Sequence, residues 1–353
     1  MLYSLIVFLF LLLLTYIPAK KLTNSQYINS NILKQKEFYL IITVFSLIVG
    51  LRWDVGTDYL HYYDLYISNS SLYDRLEFFP RIFMFFGKTC GLPYYCWFVT
   101  MAFVQIFFVT YGTSLIYKKA LPLVILFYYT FFLCHDFNIV RQAAAYSIVY
   151  FAFCHSVRGK YIQAIFWIVV SFFFHKTSII VMPLFLLFFV HKVPNKYLQL
   201  VIYLTTSIGG TILLKYLLVS YGVYLQFLNA DLYIDRVLYE DNENKLGSGL
   251  GVLFQQAICV MIILMSDKIL NRNQKLIPLY LIFFIGASLY RPCIEDQYLL
   301  RLVQFLTFFV VLFAGITIKE EKLNLIGSIA TMATIGMFLL SSLSIDWMFI
   351  WDK

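Results

Sequence analysis

The stretch that decides the fold runs from Phe38 to Asp64. It opens as Phe38-Tyr39-Leu40-Ile41-Ile42-Thr43-Val44-Phe45-Ser46-Leu47-Ile48-Val49-Gly50-Leu51. It then turns abruptly into Arg52-Trp53-Asp54-Val55-Gly56-Thr57-Asp58-Tyr59-Leu60-His61-Tyr62-Tyr63-Asp64. The first part carries no charge. The second holds an arginine, three acids, a histidine and four aromatics. An uncharged run that ends this way reads as a helix leaving lipid and emerging into water.

The rest of the chain repeats the first half of this pattern. Of its 353 residues, 61% are hydrophobic and 13% charged, and the mean hydropathy is +0.78. Soluble domains average about 45–50% apolar and about 25% charged. A single water-soluble core could not hide so much apolar surface, so the sequence predicts an all-α polytopic membrane protein, one integral domain over 1–353. The net charge of +8 does not indicate nucleic-acid binding, because the lysines and arginines sit mainly in short connections. Six cysteines, at 90, 96, 134, 154, 259 and 293, show neither metal-ligand spacing nor a disulfide framework.

Apolar runs cover 2–17, 37–51, 94–117, 120–134, 137–155, 161–174, 177–190, 199–219, 249–266, 276–290, 298–318 and 323–345. That predicts about twelve spans, although several runs are shorter than the ~20 residues of a perpendicular crossing. Leu2–Ile17 has no basic residue ahead of it and no small-residue cleavage site behind it, so it is expected to be a retained span. The connections 19–36, 156–160, 191–197 and 267–275 are basic and are assigned to the cytoplasm; 52–77 and 220–248 are net acidic and are assigned outside. Phe78–Gly91 carries Arg81 and Lys88 on one helical face. Read as an amphipathic or re-entrant outer helix, it puts Lys118-Lys119 and every later basic connection inside.

With that topology five polar clusters fall on the outer side. They are Arg52 to Asp64; His135 to Gln142; His175-Lys176; the acidic, aromatic loop 220–248; and Arg291 to Tyr298, with Arg301 one turn further on. Arginines at membrane depth cost roughly 2.5–3.5 kcal/mol each and usually face a cavity or an acid. Asn138, Arg141 and Gln142 share one helical face. An arginine fork matches phosphate or carboxylate. Each residue also has a plainer reading: Arg52 as a snorkelling helix end, Arg141 as an internal pair with Asp136, His175 as an interfacial histidine. Gly247-Ser248-Gly249-Leu250-Gly251 follows no strand and reads as a helix start capped by Ser248.

Arg52-Trp53-Asp54-Val55-Gly56-Thr57-Asp58-Tyr59, with Tyr62 or Tyr63 beyond it, resembles the R-x-x-x-G-x-D-Y motif of EpsG/Wzy-type bacterial polysaccharide polymerases. Asn138-Ile139-Val140-Arg141-Gln142 is similar to that family's N-x-x-R-Q. Phe174-His175-Lys176-Thr177-Ser178 is similar to its F-H-x-[ST]-[SA], and Arg301 to its arginine at the start of a late span. Glu77-Phe78-Phe79-Pro80 sits where the family often has an acidic–aromatic turn, a weaker match. The order and spacing agree over residues 40–310. The resemblance implies a GT-C-like helical glycosyltransferase of the bacterial inner membrane, joining undecaprenyl-diphosphate-linked oligosaccharide repeat units on the periplasmic side. A flippase and a chain-length regulator would be its partners.

In such a reaction a sugar hydroxyl displaces a diphosphate, and charge grows on the leaving group. Arg141, then Arg301 and Arg291, then Arg52 are the expected anion holders. Asp58 is the first expected general base and His175 the second. Tyr59, Tyr62 and Tyr63 are expected along the sugar path, Asn138 and Gln142 at the substrate, and no cofactor or metal is expected. Competing readings are a flippase or secondary transporter, a polysaccharide ligase, and an acyltransferase using His175. The one-sided polar clusters favour an enzyme over a transporter, which would show access from both faces.

Overall fold

The computed structural model describes residues 2–24, 30–68, 76–225, 249–294, 297–320 and 324–351. Among them the chain is helical, and its one β-type contact is an isolated antiparallel bridge between Arg52 and Phe349. The chain divides into two compact units. The first comprises Met1–Met182 and Val311–Lys353, the second Pro183–Val310.

In the first unit α1 (Leu2–Leu22) packs on α2 (Lys36–Gly50), and α2 packs on α5 (Tyr95–Tyr117). α5 packs on α7 (Val140–Val157), and α7 on α8 (Tyr161–Phe174). Between α2 and α5 lie two short helices, α3 (Tyr59–Ile67) and α4 (Phe78–Thr89). α6 (Leu121–Tyr128) continues through a π-helical turn, Tyr129–Leu133, into Cys134–Asp136. α13 (Val310–Glu320) and α14 (Asn324–Leu343) close the sequence, and α14 packs on α1. Close approach is written into small residues. Ala143, Ala144 and Ala145 are fully buried on α7, and a Cβ on Gly50 would fall 2.4 Å from the Val99 backbone. Without a strong hydrophobic drive between helices in lipid, such close contact supplies much of the packing energy.

The second unit holds the latter half of a 3₁₀ segment, Lys176–Phe189, then α9 (Lys196–Leu225), α10 (Leu250–Arg272), α11 (Ile277–Cys293) and α12 (Gln297–Thr307). α11 packs on both α9 and α12. Gly249 is the N-cap of α10; Ser248, the expected cap, and loop residues 226–248 lie outside the described residues.

Large apolar side chains point outward along the helices, among them Phe10, Ile17, Phe166 and Ile208. Hydroxyls point inward, as in the 2.8 Å hydrogen bond between Thr113 and Tyr150. This inverted pattern suits a lipid solvent. Among the described residues five helical stretches have the length and apolar content to cross a membrane: Leu2–Leu22, Tyr95–Asp136, Leu250–Arg272, Gln274–Cys293 and Leu299–Lys319. The sequence led to about twelve. Several expected spans form shorter helices, such as Tyr161–Phe174 and Gly327–Leu343. Two of them share one stretch, for the 42-residue Tyr95–Asp136 breaks at Tyr117, where φ is −152° and ψ is 77°. α4 has 12 residues, about 18 Å of helix, well short of a ~30 Å hydrocarbon core.

Candidate functional site

The patch after α2 folds as a tight loop held from three directions. Trp53 N–H donates to Met348 O at 2.8 Å, and Ile350 N–H to Leu51 O at 3.1 Å, so the C-terminal segment pins the start. Asn138 Oδ1 accepts from Thr57 N–H at 2.7 Å, which pins the middle to the turn before α7. Gly56 has φ +99°, and a Cβ there would stand 2.5 Å from Phe137 O; only glycine suits both the dihedral and the approach. Asp54, at φ 50°, occupies the left-handed region that Asp tolerates.

Arg52 is the inward anchor of this loop. It is 2% exposed, donates from Nε to Val55 O at 3.1 Å and from Nη1 to Val49 O at 2.7 Å. Its guanidinium lies 5.0 Å from the ring centres of both Phe98 and Phe137 and 5.9 Å from that of Tyr59. Burial pulls its pKa down to about 10, with Tyr59 and Asp136 acting the other way. Nη2 has no hydrogen-bond partner among the described residues. This geometry gives Arg52 an architectural task, ordering the loop from below. Tyr59 stacks on Phe98 at 4.6 Å and is likewise fully buried.

A second constellation forms where α3, the start of α4, α7 and the end of α8 meet. Arg141 forms an ion pair through Nη1 with Glu77 Oε2. Its Nε donates to the Tyr62 hydroxyl at 2.9 Å, and its guanidinium lies 5.7 Å from the Tyr62 ring centre. His175 Nδ1 sits 2.9 Å from Glu77 Oε1. Arg141 and His175 therefore share one carboxylate. Burial by itself would raise the pKa of Glu77. The hydrogen bond from His175 and the charge of Arg141 outweigh it and hold the carboxyl at about 2, so Glu77 is ionised at neutral pH. Exposure separates the roles: the Arg141 and His175 side chains are 23% and 21% exposed, Glu77 only 9%. The cation and the imidazole reach an accessible surface, and the acid that ties them together lies behind.

Local sequence explains the assembly. His175 ends α8, its N–H bonded to Ser171 O at 2.9 Å, so its ring projects where the helix stops. Phe79 and Phe83 of α4 pack on Phe174, and Trp97 Nε1–H donates to Pro80 O at 3.0 Å. These apolar contacts seat α4 so that Glu77, its N-cap residue, faces the pair. Tyr62 rests on Trp97 at 4.8 Å.

Of the residues expected from sequence, the structure thus joins Arg141, Tyr62 and His175, and places Asn138 on the neighbouring loop. Asp58 is the N-cap residue of α3, one turn ahead of Tyr62; its carbonyl accepts from Tyr62 N–H at 3.1 Å. Gln142 is buried beside Arg141 on α7. The alternative pairing of Arg141 with Asp136 does not form. Asp136 is bound by Tyr146 and, at 2.9 Å, by Tyr128, which the π turn brings within reach. Arg291 and Arg301 belong to the second unit, half-buried in the last turn of α11 and in α12; Glu295 and Asp296 between them lie outside the described residues. Glu77, the hub, had only its weak family-like turn to mark it. A stronger signal was present: an acid directly ahead of a helix whose aromatic face must be buried. Among the described residues no three His, Cys, Asp or Glu side chains come together as metal ligands.

Fold and site together define a multi-pass helical membrane protein with an arginine–glutamate–histidine centre. The sequence pattern of the EpsG family matches residues 37–351, and the chain belongs to that family of polysaccharide-polymerase-type membrane proteins. No curated protein and no solved structure matches it.

Proposed function

We propose that this protein is a membrane glycosyltransferase of the bacterial inner membrane that joins lipid-diphosphate-linked oligosaccharide repeat units on the periplasmic side. The carrier is undecaprenyl diphosphate, and the product is a surface polysaccharide such as O-antigen. The observation that carries the reading is the Arg141–Glu77–His175 centre, a cation and an imidazole held side by side by one buried carboxylate.

The chemistry follows from the geometry. A hydroxyl of the incoming unit attacks the anomeric carbon of the growing chain, and the bond from that carbon to the diphosphate oxygen breaks. Glu77 accepts from Nδ1–H of His175, which fixes the tautomer with Nε2 free to take the hydroxyl proton. This arrangement supports His175 over Asp58 as the base and gives Asp58 a place in ordering α3. Negative charge on the departing diphosphate falls to Arg141, whose Nη2 is not used by the bonds to Glu77 and Tyr62. Arg291 and Arg301 are proposed as further diphosphate contacts and Tyr62 as part of the sugar path. Loop 220–248 is proposed as an acceptor surface.

Complementation of a polymerase-null strain tests the reading. Arg141→Ala and His175→Ala should leave single-repeat products on gels of surface polysaccharide, with the protein still in the membrane fraction. Long-chain polymer from both variants would refute the site. Single-repeat products accumulating on the cytoplasmic face in the deletion strain would point to a flippase instead.

A further inference from the structure

At the other end of the first unit lies a feature that the transfer reaction does not use. The ends of α1 and α13, the turn before α6 and the start of α14 enclose a groove of about 740 Å³. Three lysines line it from three separate segments: Lys20 in the last turn of α1, Lys119 in the 118–120 turn, and Lys319 in the last turn of α13. All three are exposed, and among the described residues none makes an ion pair and no acid lines the groove.

A lysine near a helix C-terminus is ordinary, since it snorkels and favours the helix dipole. Three of them around one hollow are not explained that way, because like charges repel unless an anion sits among them. Two hydroxyls on the wall are already spent as donors: Thr23 donates to Lys20 O and Thr331 to Gly327 O, each at 2.7 Å. The donors a ligand meets include the three ammonium groups, the Tyr16 phenol and the Asn24 amide. That set is cationic and matches a phosphate. Leu123 and Ile318 form part of the same wall, which a free phosphate ion has no use for but an acyl chain does. The volume falls within the roughly 300–1,000 Å³ of small-molecule sites.

We infer that this groove binds the phosphate headgroup of an anionic membrane phospholipid, with the acyl chains along its apolar wall. The basic ends of α1 and α13 place the groove at the cytoplasmic leaflet by the positive-inside rule, where anionic lipid is attracted by lysine clusters. The ligand is structural and is neither donor nor acceptor in sugar transfer.

The test is thermal unfolding of the full-length protein in neutral detergent, titrated with phosphatidylglycerol, phosphatidylcholine or inorganic phosphate. Phosphatidylglycerol should raise the midpoint and the other two should not. Replacing Lys20, Lys119 and Lys319 together by Gln should weaken the half-saturating lipid concentration on the order of 100-fold, at roughly fivefold per lysine near an anionic headgroup. Their replacement by Arg should preserve binding. Should the triple Gln variant fail to fold, Lys119→Gln alone should give its fivefold share. Arg158→Gln with Lys160→Gln, on another basic connection, should change nothing. An equal response to phosphatidylcholine or to inorganic phosphate would overturn the proposal. So would unchanged binding in the Gln variants, or an equal loss in the Arg158 and Lys160 control.

Discussion

Glu77 is bonded to the Arg141 guanidinium and the His175 imidazole at once, and its depressed pKa is a statement about stability. Its carboxyl is held at about 2 against an ordinary 4.5. A folded pKa below the unfolded one adds stability that is fully present above about pH 4.5 and disappears as the pH falls through 2. The shift corresponds to about 3 kcal/mol. Glu77→Gln should therefore lose this acid-limb dependence between pH 4.5 and 2 in detergent unfolding, while lowering stability at pH 7 by a similar amount. An unchanged acid limb in the variant would show that Glu77 is not held by Arg141 and His175. Arg52 makes a different kind of prediction. Its donors meet backbone carbonyls and its plane lies among three aromatic rings. Arg52→Lys keeps the charge and loses the fork, so it should destabilise by about 2 kcal/mol, measured by thermal unfolding.

Elements carry the site through two devices: a glycine-dependent loop and a short aromatic helix. Gly56→Ala introduces both a strained φ and a clash with Phe137 O. It should cost more than about 2 kcal/mol and expose the loop to protease. α4 is held by phenylalanine contacts and is too short to cross the bilayer, which suits the amphipathic assignment of 78–91. That assignment also makes the topology testable. A membrane-impermeant maleimide should label exposed Cys90 from outside, and a cysteine placed at Gly159 only after permeabilisation. Reversed labelling would invert every loop assignment.

Elements were also where the sequence was most legible. The run 161–174 coincides with α8, and 94–117 nearly with α5, because charges and Pro or Gly mark helix ends. The run 177–190 is a 3₁₀ segment bearing Pro183, and hydropathy cannot tell 3₁₀ from α. Arg141, Tyr62 and His175 were readable because polar groups are expensive at membrane depth and stand out. Their common partner was not, since the link from Glu77 to Arg141 and His175 spans 64 and 98 residues and depends on how α4 is seated.

For the whole molecule, the family assignment over residues 37–351 and the inverted apolar exterior set the class, and the proposed chemistry rests on the Arg141 centre. The most direct test is reconstitution of the purified protein in liposomes with lipid-diphosphate-linked repeat units, following polymer length and released lipid diphosphate. The wild type should build long chains. Arg141→Ala and His175→Ala should each slow release by about 100-fold or more, the usual loss on removing a charge stabiliser or a general base. Release within threefold of wild type in both variants, from protein that remains folded, would contradict the account.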